Sequence, residues 1–415
     1  MESITTLVGQ GLYMAAAAVA GLGLARILRS DNTLGCFIAG VVAGMLLPLI
    51  DYNTSLRAEH LHQLVFFVIL PILIFESAWE IEPRELKEWL GPLLLMATLG
   101  VGICALLIAV LIYFGVNEPE TLPWQAALLT GAILAATNPG AVVTKLRQKS
   151  GNEDLLTLIK GESLFNDVAA IVLFTLVLGA VSHSVFEGAV STGEPLEDAR
   201  TITMYFAVTV FGGLAVGVLC GLLTAIVVLL LGAAGAALVT LLFAALGTYY
   251  LAEHVVHVSG IVAVMVCAMV ARACLREQRE TYLAHVSPTW EWLGLLFRAL
   301  IFVIMGLVIT PEMIGQQWFA ILIAIAAAVG ARALSIFVTG PLARFVGPPI
   351  PRNWRLLLGW GGLRGVIAVA LALSLPSDLP FRLPVQSMVF GVVLFSLLVQ
   401  GTSSRWLLGK LRDED

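Results

Sequence analysis

Long apolar stretches separated by short polar turns run the length of the chain, near residues 5–28, 33–50, 61–79, 90–116, 123–145, 155–182, 201–231, 233–252, 258–275, 290–309, 314–340, 354–376 and 384–408. Roughly 20 apolar residues in helical form cross a bilayer, whereas the strands of a membrane barrel alternate over roughly ten. The unbroken runs therefore predict an all-α polytopic membrane protein with thirteen transmembrane helices. The boundary between the seventh and eighth stretches is the least marked, because Leu231-Gly232-Ala233-Ala234-Gly235 contains only small and apolar residues.

Lys and Arg gather on the cytoplasmic side of membrane proteins, so their placement tests the count. With the N-terminus outside, the cytoplasmic segments hold Arg26 and Arg29; Arg84 and Lys87; Lys145, Arg147, Lys149 and Lys160; Arg272, Arg276 and Arg279; Arg344, Arg352 and Arg355; and Arg405, Lys410 and Arg412. The external loops hold only Arg57, Arg200 and Arg382. The expected protein is integral and multi-pass, with its N-terminus outside and its C-terminus cytoplasmic, in the cell (inner) membrane. An odd number of crossings has a second consequence. If the first six and last six stretches are repeats, counterparts lie seven apart and run in opposite directions, giving the two inverted six-helix repeats of secondary transporters. The fifth and twelfth are then partners, and both are interrupted, by Ala136-Thr137-Asn138-Pro139-Gly140 and by Gly359-Trp360-Gly361-Gly362-Leu363-Arg364-Gly365. Pro139 removes a backbone donor and the glycines weaken helix, so both stretches are expected to break within the membrane.

Composition narrows the class. Of 415 residues 59% are hydrophobic and only 12% charged, and the net charge of −5 argues against a nucleic-acid partner. Cys36, Cys104, Cys220, Cys267 and Cys274 are scattered without a C-x-x-C pair and read as small core residues, not as metal ligands or disulfides. The first stretch is too long for a cleavable signal and its basic residues follow the apolar run. No soluble domain is expected.

The chemistry concentrates in Leu155–Val177, which carries Glu162, Ser163, Asn166 and Asp167 within an otherwise apolar helix. Ser163, Asn166 and Asp167 share a face at i, i+3 and i+4, with Glu162 at its edge. An aspartate at the centre of a membrane helix costs about 2.5–3.5 kcal/mol on insertion scales, so such a cluster reads first as an ion or proton site. A carboxyl in low dielectric favours its neutral form, while a bound cation favours the charged one, and Asp167 is thus the candidate for holding a proton or a cation in turn. Ser163, and Thr137 with the carbonyls that a broken helix frees, offer the oxygen ligands that hard cations take. Arg332 lies inside the eleventh stretch and needs an anion. Glu162 is the favoured partner, with Asp167 and Glu76 open. Glu76 reads either as an interfacial residue or as a carboxylate near the cytoplasmic entrance, and Arg364 as a fixed cation compensating the carbonyl end of a half-helix or as a snorkelling residue. Arg298, eight residues from Trp290 at the start of its stretch, is less informative. The run Glu253-His254-x-x-His257 is not the H-E-x-x-H of zinc proteases and reads as interfacial loop, with a minor role as an external pH-sensitive group. No serine or acidic pair has a catalytic arrangement, so an enzyme is not expected.

The motifs GESLFND at Gly161–Asp167, LPILIFE at Leu70–Glu76, SGIVAV at Ser259–Val264, ARALSIF at Ala331–Phe337 and GWGGLRGVIAVALALSLP at Gly359–Pro376 together resemble the monovalent cation/proton antiporters, in the branch of bacterial NhaP-type antiporters and animal sodium/proton exchangers. The resemblance implies an NhaA-like antiporter fold, a homodimer, and crossed broken helices in the core. It implies a core (ion-transport) domain at approximately 61–182 and 290–376 with flanking spans, and a dimerisation domain from approximately 1–60, 201–275 and part of the C-terminal half. By the same resemblance Asp167 carries the ion, Ser163 and Thr137 complete the site, Glu76 contributes through water, Asn166 ties the site helices together and Glu162–Arg332 braces the core. The Asn-Asp pair implies electroneutral exchange of one cation for one proton. One departure stands out: the family's break reads Thr-Asp-Pro, and here Asn138 replaces the aspartate, bringing no charge to offset helix dipoles or Arg364. The expected function is antiport of a monovalent cation, Na⁺ first with K⁺ or Li⁺ open, against H⁺, with no cofactor. A channel, or a transport-impaired sensor that kept the fold, is the alternative.

Overall fold

Backbone polar groups in a bilayer must be satisfied within their own segment, which leaves helix as the form for these apolar stretches. A computed structural model of the chain describes residues 4–28, 30–46, 63–117, 122–139, 143, 146, 153–181, 195–275 and 284–403. The expectations for Gly140, for Arg57 and for the basic residues Arg29, Lys145, Arg147, Lys149, Arg276, Arg279, Arg405, Lys410 and Arg412 lie outside these residues, as do residues 47–60 of the expected 1–60 segment. The described residues are helical with no strands. Nine of their helices are long and apolar enough to cross a membrane, and four shorter apolar helices accompany them.

In chain order, with the span Arg352–Leu373 given as its two halves α12 and α13, they are α1 (Ile4–Leu28), α2 (Asn32–Leu46), α3 (Val65–Trp79), α4 (Pro83–Val116), α5 (Trp124–Ala135), α6 (Glu153–Val181), α7 (Pro195–Leu231), α8 (Ala234–Tyr250), α9 (Gly260–Cys274), α10 (Ala284–Val308), α11 (Trp318–Leu342), α12 (Arg352–Gly361), α13 (Val366–Leu373) and α14 (Arg382–Ser403). The faint α7/α8 boundary is a turn. Gly232 takes a left-handed φ of 60°, which a residue without Cβ adopts freely, and extended Ala233 opens α8. Within α4, Pro92 withholds one backbone donor; a π-helical turn follows at Met96–Gly100, and Ser335 on α11 donates to the Gly100 carbonyl at 2.8 Å.

The helices pack as two groups. α4, α5, α6, α11, α12, α13 and α14 form a bundle in which α4 lies between α5 and α11. In the other group α2 lies between α1 and α10, while α7, α8 and α3 all pack on α9. The groups meet where α3 and α9 touch α6 and where α10 touches α13. Polar links tie the ends of α3, α4, α6 and α9 together: Lys160 pairs with Glu80 at 2.8 Å, Thr157 donates to Glu85 at 2.6 Å, and Arg272 donates to the Trp79 carbonyl and lies 3.4 Å from Glu82.

Lipid tails supply no hydrophobic drive between helices, so tight packing depends on small residues. At the α2/α10 crossing, Gly40 faces the Val303 backbone and Gly306 faces the backbone of Phe37 and Val41, leaving no room for a Cβ at either position. Gly306→Val should destabilise the protein by about 1–3 kcal/mol through overpacking. A lowered thermal midpoint in detergent is the expected result, and an unchanged midpoint would contradict the close approach of α2 and α10.

Candidate functional site

The site is built on two helix breaks. α5 stops at Ala135, Ala136 turns extended (ψ 139°), and the chain stays non-helical through Pro139. α12 stops at Gly361, the next four residues are non-helical, and α13 starts at Val366. The two unwound segments cross, with the Asn138 amide donating to the Leu363 carbonyl at 2.7 Å. Gly365 is required there because the Asn138 side chain fills the space a Cβ would occupy.

Each break leaves carbonyls at the negative end of a half-helix. An arginine meets each of them. Arg364, 2% exposed, donates to Ala136 (3.0 Å) and Ala135 (3.4 Å) at the end of α5 and to Ala328 on α11 (3.3 Å). Arg332 donates to the Leu358 carbonyl near the end of α12 at 3.0 and 3.3 Å. The burial of Arg364 leaves no snorkelling to the surface.

α6 brings its polar face to this crossing. Glu162 pairs with Arg332 at 2.7 Å, and both are buried. Asn166 Nδ2 donates to the Glu162 carboxylate and, at 3.1 Å, to Thr137 Oγ1, while Ser163 donates to the Thr137 carbonyl at 2.5 Å. Thr137 is therefore held behind the α6 face, with its hydroxyl turned to Asn166. Asp167 is 8% exposed, and its Oδ1 has no hydrogen-bond partner among the described residues.

A cavity of about 400 Å³ lies between the two helix groups. Asp167, Ser163, Asn138, Pro139 and Arg364 line it from the bundle, but Thr137, Asn166 and Glu162 do not. Glu76 and Arg298 line it from the other group, and Asp31, Glu80 and Lys160 line it near helix ends. Toward the opposite end of α6 the α3/α6 contact is apolar, with Phe66 and Phe174 stacked at 6.3 Å between centroids and both buried. Glu76 is 2% exposed and lines the cavity, and Arg298 donates to its two carboxylate oxygens at 2.8 Å each. Arg298, uninformative in its own stretch, is the site residue that the sequence leaves unassigned. The signal for it was the balance of charges, since Glu76, Glu162 and Asp167 face three intramembrane arginines, 298, 332 and 364.

The Glu253-His254-x-x-His257 run lies off the cavity. Glu253 accepts from the Gly260 amide (2.9 Å) at the start of α9, and His254 packs on Tyr250 and Phe67. No cluster of three or more His, Cys, Asp or Glu poised for a metal ion occurs among the described residues.

A family model described as sodium/hydrogen exchanger, transmembrane, matches residues 13–410. The low-affinity Na(+)/H(+) antiporter NhaS1 of Synechocystis sp. is 35% identical over 381 residues, covering 89% of this chain and 68% of that protein. The Na(+)/H(+) antiporter NhaH of Halobacillus aidingensis is 31% identical over 413 residues, covering 97% of both. The solved structure of the sodium proton antiporter MjNhaP1 from Methanocaldococcus jannaschii at pH 8 matches with a TM-score of 0.81 at 20% identity, over 99% of each chain, a likeness of fold.

The buried pair at the crossing makes a direct prediction. Glu162→Gln leaves Arg332 as an uncompensated buried charge and should cost about 3–5 kcal/mol of stability. Glu162→Gln combined with Arg332→Gln should lose less than the single variant in detergent thermal melts, and a double loss equal to the sum of the two singles would contradict the pairing.

Proposed function

The chain belongs to the sodium/hydrogen exchanger family and is a Na⁺/H⁺ antiporter; we propose that it exchanges the two one for one, with Asp167 as the group that holds either a sodium ion or a proton. The observation that carries this reading is Asp167 itself, which lines the cavity and whose buried Oδ1 has no hydrogen-bond partner among the described residues. Two other membrane carboxylates, Glu76 and Glu162, are each neutralised by an arginine. Asp167, with no ion-pair partner among the described residues, is the one of these three left to a mobile cation.

In this reading sodium is held by Asp167 with the Ser163 hydroxyl beside it, and the Thr137 carbonyl lies directly behind Ser163. Oxygen donors of this kind suit a hard cation. A proton and a sodium ion on one carboxylate exclude each other, so each must leave before the other binds, and exchange is coupled when the empty, charged carboxylate does not cross. Asn166 works from behind, fixing Thr137 to the Glu162–Arg332 pair so that the crossing moves as one body with α6.

The protein is read as thirteen crossings in two inverted six-helix repeats, the interrupted twelfth comprising α12 and α13. The matching breaks of the fifth and twelfth crossings, their mutual contact and their arginine caps support that symmetry. We read the moving body as α4–α6 with α11–α14 and the fixed body as α1–α3 with α7–α10, a division that the helix packing supports and that takes α3 and α10 out of the expected core domain, so that they face the cavity from the fixed side. The homodimer contact belongs to the fixed body, which carries exposed apolar faces on α1 and α7, such as Val19, Phe211 and Leu223. With the N-terminus outside and the C-terminus in the cytoplasm of the cell membrane, the end lined by Asp31, Glu80 and Lys160 opens inward, and the Phe66/Phe174 contact closes the outer side. Sliding of the bundle against the fixed body would reverse the two.

Asp167→Asn removes the exchangeable charge and keeps the shape. In proteoliposomes this variant should lose Na⁺-driven proton movement to background while eluting as a folded protein; exchange at the wild-type rate would remove Asp167 from the mechanism.

A further inference from the structure

The wall of the cavity opposite Asp167 is built around one carboxylate and one guanidinium from neighbouring helices. Glu76 on α3 is buried, and its two oxygens are both taken by Arg298 on α10. α10 also supplies the room: one turn before Arg298, Gly294 lies against the Glu76 carboxylate so closely that a Cβ would collide with it. The pair is therefore a fitted contact, with a slot and a fork-to-fork geometry, and both residues line the cavity that holds Asp167. Its arginine is the more accessible member, with the side chain 32% exposed against 3% for Glu76.

A carboxylate in a cation pathway attracts the transported ion unless something else neutralises it. We propose that Arg298 is a tethered competitor for sodium: by occupying Glu76 it withholds the buried carboxylate that shares the depth of the cavity with Asp167, so that the ion at Asp167 meets no second free acid beside it and binds weakly enough to leave. Arg298 is thus an affinity-setting residue that acts through Glu76. Of the other charged groups on the cavity, Asp31 and the Lys160–Glu80 pair lie near helix ends, and Arg364 is held by the carbonyls of α5 and α11. Replacing Arg298 frees a negative charge on the wall that sodium approaches. Replacing Glu76 instead frees a positive one.

The two changes should move sodium affinity in opposite directions, which loss of structure alone does not do. Half-saturating Na⁺ for exchange in proteoliposomes at alkaline pH should fall on the order of tenfold in Arg298→Gln and rise on the order of tenfold in Glu76→Gln, the scale of one unit charge acting across a partly solvated cavity. The double variant should return near the wild-type value, and Arg298→Lys, which keeps the charge, should stay close to it. Equilibrium binding of radiolabelled Na⁺ to the detergent-purified full chain reads the same order of affinities without requiring transport. The inference rests on the antiport reading, yet the two fail separately. Wild-type protein that binds Na⁺ but moves no protons would strike the antiport reading alone. Arg298→Gln that binds and exchanges Na⁺ with unchanged or weakened half-saturation would overturn the role of Arg298, as would a double variant that behaves like Arg298→Gln.

Discussion

A charge in the hydrocarbon layer is tolerated only when another group answers it, and this fold is arranged around that constraint. Glu162 is answered by Arg332 and Glu76 by Arg298, each within 2.8 Å, while Arg364 is answered by backbone carbonyls. Asp167 has no such partner among the described residues and lines the cavity instead. The distinction between a carboxylate that holds the protein together and one that serves its function lies in this difference of partners, because all of them are acids buried among apolar helices.

The broken helices follow from the same constraint. Unwinding α5 and the α12/α13 segment exposes carbonyl ends that water cannot solvate at this depth, and arginines 364 and 332 satisfy them from neighbouring elements. Arg332 does two things at once, since it also neutralises Glu162, so the crossing and the α6 face are joined through one guanidinium. Asn138 enters through its backbone amide, which needs no charge, and its side chain packs against Gly365. The neutral residue at this position is thus compatible with the crossing as built, because the positive charge of Arg364 is spread over carbonyls from two helices.

Much of this was legible in the chain. The breaks were marked by Pro139 and by the glycines around Arg364, the functional face by the spacing of Ser163, Asn166 and Asp167, and the partner of Arg332 by the need of a buried guanidinium for an acid. Three features were not. Thr137 has the hydroxyl that a cation site calls for, but its rotation toward Asn166 is set by the unwound backbone, which has no periodicity to read. The Glu76–Arg298 pair joins helices far apart in sequence across the cavity, and each member alone also fits a surface residue. Finally, the assignment of α3 and α10 to one packing group depends on contacts with α9 and α2 that apolar stretches of similar composition do not specify.

The central claim is that proton and sodium compete for one carboxylate, and the dependence of half-saturating Na⁺ on pH in wild-type proteoliposomes measures that competition directly. Where Asp167 is largely protonated, each unit fall in pH should raise the half-saturating Na⁺ concentration about tenfold, as one proton displaces one ion. A half-saturation that stays constant across the pH range of activity would show that the two ions do not share Asp167, and would contradict the account.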